Sequence, residues 1–520
     1  MVENMNNQES WFPLILVAFA SFIITLDTTF MNVSISNLIV DLNTTIGTVQ
    51  GIICFYTLTT ASLMLVGSKF QDIFGKRRIF LTGAFIYGLG ALIASLSINS
   101  TMLFIGWSLL EGIGGALMTP STISIISGSY NSEKRTFALA ISSAIVGIAA
   151  AIGPLFGGVV TSFLSWRFGF VFELIIILFI FIFYKKIPVF IKTEKLADFD
   201  IIGAILSVTG IILFVLGVLT LISDRIKSLA LMICGLILIL VFILFENKRK
   251  SNNKIPLFDV SLLKEKNLSL GMIIRLITNL SIAGSLFAVS LFLQSVLKLN
   301  AFNTGLNLLP LTISLLIFSL LAPKLAVKFN HKYIMVLGFI ISIIGVLAFK
   351  SRFTLDTKFS DLFLGLIIFG AGLGLIISLS VDISLRNTPP KSQSTASGFI
   401  TTGQTLGSSM GTAIIGCILI IGAIGGLHDA TNTYAPNHIS DSEFKSNLHV
   451  YFEKLGHVSG KEIKEKPIIK KIVNLVIKDA MKLVMNFTIL LLSIGLILTL
   501  FLDDTKIKRK NKLFNNNHIN

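Results

Sequence analysis

Long apolar runs recur along the whole chain and are separated by short polar segments. A run of about 18 or more apolar residues is long enough to cross a hydrocarbon layer of roughly 30 Å as a helix. The runs are continuously apolar and do not alternate, so they predict helices rather than the strands of a barrel. We place fourteen spans near residues 12–34, 48–68, 79–98, 102–125, 137–160, 167–184, 200–221, 229–245, 269–293, 305–326, 333–350, 361–385, 397–422 and 483–502.

The composition agrees with a helical membrane protein that crosses the bilayer many times. Of 520 residues, 53% are hydrophobic and 13% are charged, whereas an ordinary globular domain is about one-quarter charged. The first run has no basic segment before it and no small-residue cleavage site, so we expect a mature helix and not a signal peptide. The three cysteines lie inside spans and the histidines lack metal-ligand spacing. We therefore expect no disulfide, no metal site and no cofactor.

Lysine and arginine gather in alternate loops, among them 75–78, 133–135, 247–250 and the tail 506–512. Such loops lie on the cytoplasmic side of a cell membrane. The sequence therefore predicts a plasma-membrane protein whose termini, 1–11 and 503–520, are both cytoplasmic. The net charge of +16 fits a basic inner face against anionic lipid. Nucleic acid is not an expected partner, because the charges are scattered over loops without a soluble domain.

An internal repeat divides the chain. "SKFQDIFGKRRI" (68–79) and "PKLAVKFNHKYI" (323–334) match at several basic and apolar positions, and each follows the second span of a six-span block. Parallel six-span repeats around a central site are typical of transporters. We therefore predict an N-terminal six-helix bundle (12–190), two inserted helices (200–245) and a C-terminal six-helix bundle (269–502). The C-terminal bundle includes an extracellular loop at about 423–482.

Four motifs resemble a known family. "GSKFQDIFGKRRIF" (67–80) resembles the loop motif of the major facilitator superfamily, and "GIAAAIGPLFGG" (147–158) resembles its antiporter motif in helix 5. "LDTTFMNVSIS" (26–36) and "SWRFGF" (165–170) resemble the fourteen-helix drug:proton antiporter branch. The resemblance implies an all-α polytopic major facilitator fold (6+2+6) that acts as a monomer. It also implies multidrug efflux in exchange for protons, by alternating access.

The chain departs from the family pattern at three places. Ser68 stands where the loop motif usually has glycine, and Gln404 stands in helix 13 where an arginine is often found. In helix 4 the usual arginine and glutamine are replaced by Ser108 and Glu111. The role of that arginine in proton handling therefore cannot be transferred to this chain.

Three acidic residues lie away from the ends of predicted spans, where an ionised side chain costs about 2.5 kcal/mol or more. Glu111 is near the middle of span 4, a helix that lines the central cavity in the resembling fold, and we expect it to carry the coupling proton. Asp27 in span 1 and Glu173 in span 6 are further candidates. The alternatives are a protonated carboxyl that joins helices for Glu111, a helix-end position for Asp27, and an interhelical hydrogen bond or pairing with Arg167 for Glu173. Arg275 is expected to snorkel from span 9 to the cytoplasmic surface.

The first repeat loop has the residues of a gate. Asp72 can pair with basic groups or a helix N-terminus and hold the cytoplasmic side closed. Gly75 allows a sharp turn. Lys76 and Arg77 fit the same gate, and they also fit a simple role in setting topology.

Span 5 carries small residues at helical spacing. Gly147, Pro154 and Gly158 fall on one face, and Gly153 and Gly157 adjoin it. Such a face lets another helix approach closely. The resemblance to the antiporter motif favours a mobile, leak-proof interface over generic packing.

Several functions remain open from the sequence. A carboxylate in an aromatic and aliphatic cavity suits a lipophilic cation, so the expected partners are such a substrate, protons and the lipid bilayer. An exporter of one metabolite, peptide or lipid-like compound is the alternative, and a non-transporting sensor or scaffold is another. An enzyme is not expected, because the chain has no HExxH and no nucleotide-binding loop.

Overall fold

The computed structural model describes residues 10–130, 132–192, 194–221, 224–385, 393–434 and 467–503. These residues form helices and contain no strand. Thirteen helices in this part of the chain are long and apolar enough to cross a membrane. The sixth predicted span forms a shorter helix of 16 residues, Arg167–Ile182, which rises about 24 Å. Each of the fourteen predicted spans therefore coincides with a helix.

We number these helices in chain order. They are α1 Phe12–Val33, α2 Ile46–Phe74, α3 Lys76–Ser95, α4 Ser100–Ser129, α5 Ser132–Phe163, α6 Arg167–Ile182, α7 Ile201–Leu219, α8 Arg225–Ser251, α9 Lys266–Val296, α10 Ala301–Lys328, α11 His331–Phe349, α12 Phe359–Leu385, α13 Gln393–Tyr434 and α14 Pro467–Leu500.

The predicted extracellular loop is shorter in the structure than in the sequence prediction. The predicted loop 423–482 is helical at both of its ends, because α13 continues to Tyr434 and α14 begins at Pro467. Residues 435–466 of that loop lie outside the described residues, as do residues 1–9 and 504–520 of the two predicted tails.

The two ends of the helix bundle differ in charge, because basic residues gather in the segments at one end. The "basic side" is the end that carries residues 75–78 and 247–250, and the "far side" is the opposite end. At the basic side α2 ends at Phe74 and is followed by Gly75, whose φ is +96°. Only glycine adopts this backbone readily, so Gly75 makes the tight turn into α3 that the sequence predicted.

The helices form two halves and an added hairpin. Helices α1–α6 share buried apolar clusters, and helices α9–α14 surround the largest cluster of the molecule. The hairpin of α7 and α8 packs against α2 and α13 through α7. The halves meet where α5 packs against α10 and where α2 packs against α13.

Hydrogen bonds join the halves at the far side. α9 ends in a π-helical turn, Phe292–Val296, that carries Gln294. The Gln294 side chain accepts a hydrogen bond from the Ser36 amide at 2.9 Å and donates one to the Asn32 carbonyl at 2.9 Å. Gln294 thus satisfies backbone groups freed where α1 gives way to a short helix, Ile35–Asp41.

Candidate functional site

The three acidic residues predicted from separate spans converge in the N-terminal half. Asp27 comes from α1, Glu111 from α4 and Glu173 from α6, and each side chain is 0% exposed. One carboxylate oxygen from each residue lies within 4.8 Å of the other two. We call this group the carboxyl triad.

Local backbone features bring Glu111 to this place. Residues Phe104–Glu111 form a π-helical segment inside α4, and Glu111 is its last residue. Such segments are rare and occur frequently at functional sites. On the neighbouring α3, a Cβ atom at Gly90 would lie 2.7 Å from Cγ of Glu111. The absence of a side chain at Gly90 is therefore what lets α3 and α4 approach around the carboxyl.

Two aromatic side chains hold the triad. The indole Nε1 of Trp107 donates a hydrogen bond to Oδ2 of Asp27 at 2.7 Å, and the hydroxyl of Tyr87 donates one to Oε2 of Glu173 at 3.1 Å. Neither oxygen of Glu111 has a hydrogen-bond partner among the described residues. Of the three acids, Glu111 therefore accepts the fewest hydrogen bonds from neutral side chains.

Full ionisation of the triad carries a large free-energy cost in this arrangement. The three oxygens lie within 4.8 Å of one another, and two unit charges at that largest distance repel by about 3.5 kcal/mol at an effective dielectric constant of about 20. Three ionised groups would form three repelling pairs, and this repulsion adds to the cost of removing each charge from water. A proton on one or more members removes this cost, and a single bound cation contacting all three oxygens would also reduce it. The arrangement therefore favours binding of positive charge.

Sequence reasoning identified the acids but not their donors. Trp107 stacks on Tyr56 with ring centroids 5.5 Å apart, and such aromatic residues in a span resemble ordinary packing. The available signal was position, because Trp107 precedes Glu111 by four residues and so lies near it on the helix surface. Arg167 does not pair with Glu173, because its guanidinium bonds the Ser97 carbonyl at 2.9 and 3.0 Å and lies 3.3 Å from Asp41.

The antiporter-like motif packs on two helices. A Cβ at Gly157 would lie 2.5 Å from the Phe30 carbonyl, and one at Gly153 would collide with Thr29, so this face of α5 fits against α1. Asp27 lies two residues before Thr29. The helix that carries Asp27 is therefore in close contact with α5.

The second face of α5 meets the other half. A Cβ at Gly158 would lie 2.7 Å from the Ala301 carbonyl, and Gly147 faces Leu316 at 3.0 Å. The Pro154 carbonyl fits against Gly305. The close helix approach predicted for span 5 is therefore present, and α5 lies between α1 and α10.

The four residues predicted as a gate lie at the basic side. The Asp72 carbonyl accepts a hydrogen bond from the Glu194 amide at 3.2 Å. Gly75 forms the turn between α2 and α3. Lys76 donates to the Ser124 carbonyl at 3.3 Å, and the Arg77 guanidinium lies 5.3 Å from the centre of the Tyr184 ring. The Lys76 and Arg77 contacts lie within the N-terminal half, and the Asp72 contact joins this half to the segment that follows α6. The gating role remains a prediction.

Arg275 does not snorkel. Its guanidinium points into the C-terminal half and donates to Oε1 of Gln404 at 2.6 and 3.1 Å, to the Ile377 carbonyl at 2.7 Å and to Ser380 at 3.2 Å. Gln404 occupies the position where the family often has arginine, so here Arg275 reaches this position from a different helix.

Two packed halves of membrane-length helices, with three buried carboxyls inside the N-terminal half, define a polytopic membrane protein. The chain belongs to the Major Facilitator Superfamily, whose family model matches residues 17–412. The membrane topology is multi-pass, as the sequence predicted.

Relatives with known names support transport of small molecules. The chain is 26% identical over 415 residues to the methylenomycin A resistance protein of Bacillus subtilis, which covers 79% of this chain and 88% of that protein. It is 27% identical over 415 residues to the riboflavin transporter RibZ of Clostridioides difficile, covering 78% and 87%. These similarities agree with the drug:proton antiporter branch to which the motifs pointed.

A solved structure has the same fold. The bacterial homologue of the human lysosomal transporter Spinster, in an inward-facing and unoccupied conformation, aligns with a TM-score of 0.59 at 15% identity. The alignment covers 96% of this chain and 98% of that one. At this identity the similarity concerns the fold alone.

Proposed function

We propose that this protein exports small molecules across the plasma membrane in exchange for protons. The observation that carries the proposal is the carboxyl triad, because three buried acids within 4.8 Å form a group that binds and releases positive charge. We further propose that the basic side faces the cytoplasm, as the distribution of lysine and arginine predicts.

The proton would act through helix contacts. A change in charge at Asp27 alters the balance of forces on α1, which packs against Gly153 and Gly157 of α5. The opposite face of α5 packs against α10 of the other half. Protonation of the triad is thereby linked to the interface whose rearrangement alternating access requires.

The three acids have different roles in this scheme. Glu111 has the fewest hydrogen-bond partners, so it is the member that releases its proton when water enters from the cytoplasmic side. Asp27 and Glu173 each keep one aromatic donor that stabilises a negative charge between protonation events. Asp72, Gly75, Lys76 and Arg77 form the turn against which the cytoplasmic side closes.

In this proposal the substrates are small molecules, among them lipophilic cations. A lipophilic cation was expected because a carboxylate could face the cavity, and Glu111 is enclosed in the present conformation. Cation binding by Glu111 would therefore require the conformation in which the triad is hydrated. The functional unit in this proposal is the monomer, because one chain supplies all three acids of the triad.

Proton release from everted vesicles tests the proposal. Vesicles carrying the protein are energised and exposed to a panel of lipophilic cationic dyes, and substrate-dependent proton release is followed with a pH indicator. We expect release with the unmodified protein and none with Glu111→Gln. Glu246→Gln is the matched control, since Glu246 is equally buried but lies in the α7–α8 hairpin. Unchanged release in Glu111→Gln would contradict the assigned role.

A transporter of one metabolite is the second candidate. The similarity to the protein named as a riboflavin transporter favours it. Competition assays separate the two functions, because a multidrug exporter transports several unrelated dyes whereas a metabolite transporter moves one compound and its close analogues.

A further inference from the structure

A membrane-facing cavity lies between α10 and α12. Its volume is about 680 Å³, and most of its lining is apolar. The lining includes Leu306, Ile313 and Ile317 of α10, and Phe359 and Phe363 of α12. We call this cavity the lateral crevice.

The crevice opens away from the protein interior. On α10, Gly305 and Thr312 face α5, while Leu306, Ile313 and Ile317 recur at helical spacing on a different face. These three side chains are 38%, 45% and 48% exposed. Because the flanking helices span the membrane, the exposed face meets lipid.

The depth of the crevice matches one leaflet. Its lining on α10 runs from Asn303 to Phe318, a rise of about 22 Å, and half of a bilayer with its head groups is roughly 20–22 Å thick. The two helices close the inner end, where Gly374 of α12 fits against the Ser319 backbone of α10. The crevice therefore extends from head-group level to about the bilayer centre, as one acyl chain does.

The mouth of the crevice is polar and basic. Asn303 and Asn307 line the far-side end, and α12 begins at Phe359, directly after Lys358. The N-termini of α10 and α12 both lie at this end, and helix N-termini attract anions.

The connecting segment adds net positive charge. Residues 350–361 contain Lys350, Arg352 and Lys358 against Asp356 and Asp361. Asp356 is paired with Lys470 at 2.8 Å. Asp361 accepts a hydrogen bond from the backbone amide of Lys358 at 2.8 Å. The three basic side chains of the segment outnumber its two acidic ones.

We propose that the lateral crevice binds an anionic phospholipid of the far-side leaflet, with an acyl chain between α10 and α12 and the phosphate at Lys358. A zwitterionic lipid has the same acyl chains but lacks the net charge that this mouth attracts. The inference is independent of proton coupling, so loss of transport would leave it intact.

Quenching by brominated lipid tests this site. Tryptophan is introduced as Ile313→Trp in the crevice and, as a matched control, as Ile344→Trp on α11, where Ile344 is 50% exposed outside the crevice. Both proteins are reconstituted in phosphatidylcholine with a minor fraction of brominated phosphatidylglycerol, and the parent protein supplies the background signal. A reciprocal mixture carries the bromine on phosphatidylcholine.

We expect stronger quenching by brominated phosphatidylglycerol at position 313 than at position 344, and the reverse order in the reciprocal mixture. Lys358→Gln should lower the enrichment about fivefold, whereas Lys227→Gln, an exposed lysine at the far side of α8, should not change it. Equal quenching at both positions would overturn the proposal, and so would an enrichment that Lys358→Gln leaves unchanged. Native mass spectrometry of lipids retained by the unsubstituted protein gives the same comparison without the new tryptophan.

Discussion

The indole nitrogen of Trp107 lies 2.7 Å from Oδ2 of Asp27 and joins α4 to α1 inside the N-terminal half. Trp107 is one helical turn from Glu111, so the same segment of α4 supplies both a donor to one acid and a second acid beside it. Movement of α4 relative to α1 would therefore change the surroundings of two members of the triad at once.

Trp107→Phe removes the donor and keeps an aromatic ring of similar shape. We expect the loss of a buried hydrogen bond to a charged group to destabilise the protein by about 1.5–3 kcal/mol. Because the ionised form of Asp27 loses its donor, half-maximal transport should move to higher pH. Thermal unfolding and the pH dependence of dye efflux measure these effects. Trp166→Phe is the matched control, since Trp166 donates to Asp41 at 3.0 Å outside the triad. A control with the same pH shift would contradict this role of Trp107.

Gly158→Ala tests the contact between the halves. The new Cβ would lie 2.7 Å from the Ala301 carbonyl and 2.9 Å from Cα of Phe302, and backbone atoms cannot move aside cheaply. Overpacking of this kind costs about 1–3 kcal/mol, so efflux should fall while expression is retained. Gly51→Ala in α2 is the control, because its Cβ would meet no atom within 4 Å. Equal activity of the two variants would show that the α5–α10 contact is not limiting.

Gln294→Leu should open the far side more often. The substitution removes two hydrogen bonds to the backbone that follows α1 and leaves Ser36 and Asn32 without them. Unsatisfied buried groups cost about 1–3 kcal/mol each, so the far-side closed form loses population. In a background without native cysteines, Ser34→Cys should react faster with a membrane-impermeant thiol reagent. Ser34 is buried and bonds Thr161 at 2.7 Å.

The control for this experiment is Gln71→Leu. Gln71 accepts a hydrogen bond from Ser124, and both residues belong to the N-terminal half at the basic side. Its substitution should leave labelling of the Ser34→Cys site unchanged. An equal increase in both variants would point to general loosening and against a clamp at Gln294.

A double-mutant cycle tests the Arg275–Gln404 pair. Gln404→Leu removes the acceptor of two guanidinium hydrogen bonds, and each bond to a charged group is worth about 1.5–3 kcal/mol. Arg275→Leu with Gln404→Leu should be more stable than Gln404→Leu alone, because Gln404→Leu alone leaves a buried guanidinium that keeps its bonds to Ile377 and Ser380 but has lost both bonds to Gln404. Thermal unfolding of the four proteins measures the coupling. Additive losses would show that the two side chains do not act together.

The helices could be predicted closely from hydrophobicity alone. The seventh span was predicted at 200–221 and is found at Ile201–Leu219, since a long apolar run has few other stable forms in a bilayer. The end of α13 was missed by twelve residues, because the polar segment that follows the apolar run continues as a helix to Tyr434. Hydrophobicity marks the edge of the membrane and does not mark the end of a helix.

The site was predicted residue by residue and not as a cluster. Each acid was conspicuous because a charge in a span is costly, but nothing in one sequence states that α1, α4 and α6 meet at the same depth. The donors Trp107 and Tyr87 were missed because aromatic residues are ordinary in a span. The position of Arg275 was mispredicted because its neutral partners on α12 and α13 are distant in the sequence.

Infrared spectroscopy of the purified protein tests the central claim most directly, because it detects protonated carboxyls without a known substrate. Near neutral pH, we expect a protonated-carboxyl band that decreases in Glu111→Gln and is unchanged in Asp41→Asn, the control at an exposed acid that lies beside Arg167 outside the triad. Titration to high pH should remove the band from the unmodified protein. A spectrum with no protonated-carboxyl band near neutral pH, or one identical in Glu111→Gln, would contradict a proton-binding triad.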